Sequence, residues 1–153
     1  MRPRSLPFPL AVLAALLLAA GPAPAAEPAA PVGYVKTVEG AASVLSAGTE
    51  TAAQPGQPVF TGDTLKTAPE GSLGVTFKDD SVITLGGDTE LVVDRFLYDP
   101  RAGELGFKAS MSKGRAQFLS GVIAKLAPEQ VAVATPDALI GVRGTRFLVK
   151  VGN

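Results

Sequence analysis

The sequence contains no cysteine, no histidine and no tryptophan. Without cysteine there is no disulfide, no zinc thiolate site and no thiol nucleophile. Without histidine the usual general base near neutral pH is missing, and with it Ser-His-Asp triads and the common transition-metal sites. Charge is sparse as well, at 18% of residues with 14 basic against 14 acidic. That balance leaves no basic footprint for nucleic acid. Neither an enzyme nor a cofactor is therefore expected. What the chain does hold is glycine and proline, 17 and 13 of them, which punctuate short elements and argue against long helices. Its 153 residues suit one compact domain, held by core packing alone.

The first 25 residues read as a cleavable export signal. Arg2 and Arg4 make a positive start, Leu10 to Ala20 is an unbroken apolar run, and Ala23, Pro24 and Ala25 supply small residues for a signal peptidase. The run is short for a membrane span, which takes about 20 residues. After cleavage no transmembrane anchor is expected, and no cysteine follows to carry a lipid. Residues 26–31 are a Pro/Ala tether and 32–153 the folded domain. Loss of Arg2 and Arg4 leaves the mature chain two charges on the acidic side.

From Val32 onward apolar residues alternate or form short runs between turn-forming clusters. Strands are predicted over 33–38, 41–45, 59–60, 65–67, 73–77, 82–85, 91–98, 105–111, 115–119, 131–135 and 139–151, with 46–58 a polar loop. Gly121 to Leu126 is the sole helical candidate and is too short to form on its own. Short strands with turns at this spacing give an all-β single domain, mostly antiparallel, and leave a sandwich, a barrel or a short solenoid open.

Three groups of residues bear on chemistry. Asp79 and Asp80 are adjacent, so on a strand they would point to opposite faces, and no pair of opposed carboxylates results. They fit a hairpin turn in which aspartate accepts from nearby amides. Asp63, Asp80 and Asp88 match no calcium-loop spacing, and each has a turn role instead. The run Gly141 to Arg146 lacks the Gly-Lys-Ser/Thr ending and the following helix of a phosphate loop. Strand glycines more often mark a bulge or a close backbone approach.

Two stretches carry a family resemblance. Lys113 to Gly121 reads KGRAQFLSG, and Ala134 to Phe147 reads ATPDALIGVRGTRF. They resemble the FecR domain, whose pattern is a K-G strand followed by T-P-x-A-x-I-G-V-R-G-T-x-F. Thr135, Pro136, Ala138, Ile140, Gly141, Val142, Arg143, Gly144, Thr145 and Phe147 match it. Upstream, Gly62, Asp63, Thr67, Asp80, Ser81, Ile83 and Leu85 are similar to the family's G-D-x-x-x-T and D-G-S-x-x-x-L stretch, without the glycine between aspartate and serine. The resemblance implies an extracytoplasmic all-β module. In its best-known members that module sits behind an inner-membrane helix and a cytoplasmic sigma-factor-regulating segment, and senses an outer-membrane receptor in iron uptake. This chain shows an export signal in their place, so a free-standing periplasmic member is expected. The expected role is binding or signalling through contact with an envelope protein at an open sheet edge. The alternative is a structural or cell-wall glycan-binding module. Thr135, Pro136, Gly141, Arg143, Gly144, Thr145, Phe147, Asp63 and Asp80 are the motif residues to place, as structural or binding groups.

Arg143 carries a sharper expectation. By strand parity it shares a face with Phe147, Val149 and Val151. That predicts a buried guanidinium paired with Asp63 or Asp80, against an exposed arginine that meets an anionic ligand.

Overall fold

The computed structural model describes residues 22–24 and 29–152. The export signal assigned to 1–25 and the start of the tether fall, apart from 22–24, outside the described residues. The rest is all-β, a single curled sheet of twelve strands. In chain order these are β1 (Gly33–Glu39), β2 (Ala42–Ser46), β3 (Thr49–Ala52), β4 (Pro58–Val59), β5 (Thr64–Thr67), β6 (Ser72–Phe77), β7 (Val82–Leu85), β8 (Glu90–Asp99), β9 (Glu104–Leu119), β10 (Val131–Ala134), β11 (Leu139–Gly141) and β12 (Arg146–Val151). A short helix, α1 (Val122–Leu126), and a 3-10 turn at Pro128–Gln130 join β9 to β10. No helix among the described residues is long and apolar enough to cross a membrane.

The long strand β9 organises the sheet. Its first half pairs antiparallel with β8 and parallel with β10, and its second half pairs antiparallel with β7 and β12. Between the halves Gly114 takes φ 92°, so the expected break at Lys113 and Gly114 is a kink inside one strand. Outward from β9, one arm runs β7-β6-β1-β4 and the other β8-β5-β2-β3. The parallel β9–β10 pair explains the helix. Parallel neighbours cannot be joined by a hairpin and need a crossover, which α1 and the 3-10 turn supply.

Alternation places the core. Across one arm Phe147, Phe118, Ile83, Val75 and Val35 fall in register, and the next inward row is Val149, Ala116, Leu85, Leu73 and Val38. Across the other, Val44, Leu65, Leu91 and Met111 align. Most of these side chains are fully buried. Phe77 of the first arm meets Phe96 of the second and Phe107 of β9, with ring centroids 5.6 and 5.1 Å away. Each such ring contributes about 2–3 kcal/mol by burial, so this cluster joins the two arms without a disulfide.

Two details depart from the sequence reading. The polar stretch 46–58 contains β3, whose four residues are all exposed and so show no apolar alternation. The segment 139–151 is two strands, with Val142 to Thr145 looping between them.

Candidate partner-binding hairpin and loop

The motif residues near the C-terminus lie together in the hairpin β10–β11 and the loop that leads to β12. Thr135 closes the hairpin. Its N–H donates to the Ala138 carbonyl at 2.8 Å, and its Oγ1 accepts from the Ala138 N–H at 3.1 Å. Pro136 takes the corner, where its missing N–H costs nothing. Gly141 ends β11 and is exposed. Beyond it Gly144 has φ 108°, a conformation that a side chain would strain. The loop is tied down from β9: Ser120 Oγ donates to the Gly144 carbonyl at 2.9 Å and Ser120 N–H to the Thr145 carbonyl at 2.8 Å. Thr145 is itself exposed. Phe147 then rejoins the core, stacked on Phe118 with centroids 4.8 Å apart and planes within 5°.

Arg143 overturns its expectation. It is exposed, and neither Asp63 nor Asp80 pairs with it. The parity argument fails because the chain leaves strand geometry between Val142 and Thr145. Val142, not Arg143, takes the inward place and is 3% exposed. Asp63 is buried but satisfied locally: its Oδ2 accepts from Phe60 N–H at 2.8 Å, and its carbonyl accepts from Val93 N–H at 3.0 Å. It pins the β4–β5 turn to β8. Asp80 is exposed at φ 66° in the β6–β7 turn. Nothing brings either aspartate to the hairpin.

Asp79 is the residue that sequence reasoning left undervalued. Its carboxylate is fully buried and accepts from Ser81 Oγ (2.7 Å), Ser81 N–H (3.1 Å) and Ile123 N–H (3.2 Å), while its carbonyl accepts from Val122 N–H at 2.7 Å. The turn reading was right, and the same side chain also supplies the first turn of α1 with an acceptor. Gly121 permits this, because a Cβ there would lie 2.2 Å from the Asp79 carbonyl.

Among the described residues no three acidic, histidine or cysteine side chains gather as a metal cluster. Asp88 is engaged by Lys113 at 3.0 Å, which holds the lysine ammonium above its ordinary pKa through that hydrogen bond and its charge. Ser110 and Lys113 have the Ser-x-x-Lys spacing of some hydrolases, but Ser110 Oγ donates to Asp94 while Lys113 turns to Asp88. They do not form a nucleophile pair.

Beside β10 and β11, between the crossover and the loop that leads to β12, lies a concavity of about 870 Å³. Ala132, Leu139 and Gly141 line it from the strands, Pro128 and Glu129 from the crossover, and Arg143 from the loop. Its surface is mixed, and among the described residues no ion pair engages the Arg143 guanidinium that lines it.

No curated protein matches the chain. Among solved structures it is similar to a chain titled "Cell surface anchoring domain", at 31% identity and a TM-score of 0.38, covering 40% of this chain and 82% of that one. The sequence profile of the family described as FecR protein matches residues 63–153. That span is more than half of the chain and takes in both the Asp63 turn and the whole C-terminal hairpin, and the chain belongs to the FecR protein family.

Proposed function

We propose that the chain is an exported, non-catalytic module of the bacterial cell envelope that works by holding another protein at a sheet edge. The observation that carries this is the placement of the C-terminal motif. Its Pro136, Gly141, Arg143, Gly144 and Thr145 form an exposed hairpin margin and loop rather than the core, with Thr135 half-buried at the corner. A rigid sheet fixes that margin, and exposed loops on a rigid scaffold are where binding residues concentrate. Unpaired strand edges supply backbone donors and acceptors for a partner strand. The absence of histidine and cysteine, and the local engagement of the buried aspartates, support the non-catalytic reading.

A photo-crosslinker placed at position 139 in living cells should give a discrete adduct with one envelope protein. Absence of any adduct, with the purified protein retained on protein-free cell wall, would overturn this reading in favour of a glycan-binding module.

A further inference from the structure

Among the described residues four strands have a neighbour on one side only: β3, β4, β11 and β12. Three are guarded by the means proteins commonly use against stray pairing. The fully exposed β3 carries Glu50, β4 has two residues, and β12 sets Arg146 and Lys150 on either side of Leu148. The fourth, β11, is short but carries no charge. It presents Leu139, 68% exposed, and Gly141.

The register shows which backbone groups are free. Val133 faces Ile140, and the bonds from Thr135 N–H to Ala138 O and from Val142 N–H to Val131 O continue the same ladder. The groups of Ala138, Ile140 and Val142 therefore point to β10, and by alternation those of Leu139 and Gly141 point away from it. Gly141 itself is unexplained by the fold. Its φ is not in the positive region, and a Cβ built on it meets nothing within 4 Å. A Cβ would fit there, and among the described residues nothing fills the space beside it. That space opens on the concavity lined by Ala132 and Arg143.

We propose that the outer edge of β11, with the concavity beside it, receives an extended acidic segment of a partner protein. The segment pairs its backbone with Leu139 and Gly141, covers Leu139 with an apolar residue and sets a carboxylate against Arg143. The charge argument selects this occupant, since among the described residues no carboxylate pairs with Arg143 and its planar fork suits one. Glu129 lines the same concavity and opposes the carboxylate, so the contact falls on the arginine side. The inference rests on the protein-contact reading above.

The test is selection of bead-displayed random nonapeptides on the immobilised full chain and its variants. Retained peptides should alternate apolar and polar residues and share one acidic position. Arg143→Glu should weaken them about tenfold, the scale of one lost charge-assisted bond, and should instead retain peptides with lysine or arginine at that position. Glu129→Gln should strengthen the acidic peptides. Gly141→Val, whose Cβ meets nothing within 4 Å in the native fold, should keep the melting temperature and lose both peptide classes. Retained peptides without an acidic position, or retention untouched by Arg143→Glu and Gly141→Val, would overturn the β11 site and leave the protein-contact reading standing. No retained peptide, together with binding to bare cell wall, would overturn both.

Discussion

The energetic weight of single residues here follows hydrogen-bond satisfaction rather than charge. Asp79→Ala strips the acceptor from two amides and a hydroxyl inside the β6–β7 turn and α1. A loss of about 3 kcal/mol is expected in denaturant melts, the scale for orphaning several buried donors. Its neighbour should behave differently. Asp80→Gly relieves a positive φ on an exposed residue, so stability should stay level or rise by about 0.5–1 kcal/mol. Arg143→Ala should cost under about 0.5 kcal/mol, as exposed substitutions do. A large loss there would restore the buried-arginine reading. The Lys113–Asp88 pair is exposed. Because the lysine pKa is raised, what the pair contributes is present at neutral pH and lost only as pH rises through the lysine range.

At the scale of elements, much of the chain was legible because alternation in a half-buried strand is a direct imprint of one wet and one dry face. Leu73, Val75 and Phe77 against Ile83 and Leu85 read plainly, and they do line the core. The parts that were not legible lack that imprint. β3 buries nothing. The stretch 121–126 reads as the helical candidate and does hold α1, but so short a helix owes its start to Asp79, far away in sequence, and that long-range acceptor leaves no local pattern. The loop between β11 and β12 breaks parity at Gly144, so Arg143 was assigned to the wrong side although the motif around it was recognised. That loop depends on its backbone: Gly144→Ala should cost about 1–2 kcal/mol, the scale of a side chain forced into a sparsely allowed conformation, read by thermal melts. An unchanged melt would mean the loop can relax.

For the whole molecule, the two arms share one aromatic cluster and one strand, so unfolding should be a single transition. The two tyrosines make this measurable, because Tyr34 lies on β1 and Tyr98 on β8, in different arms. Tyrosine fluorescence and far-ultraviolet circular dichroism should give coincident curves, and two separated transitions would show that the arms melt independently. Chelator and added calcium should leave that curve in place, whereas a calcium-dependent rise would reveal a native-state ion site. Mass spectrometry of envelope-fraction protein should find an N-terminus at Ala26 or Glu27, and an intact Met1 would exclude cleavage. Strand β9 adds one more consequence. Over 107–110 and 116–119 it has a neighbour on each side, so its amides are shared between two flanks and the whole set meets solvent deuterium only after strands on both have let go. The slowest-exchanging protons should trace this one strand across both arms, and those of β3 and β11 should be gone first. The margin proposed to receive a partner is then the part of the sheet expected to open most readily, hinged on the part that opens last.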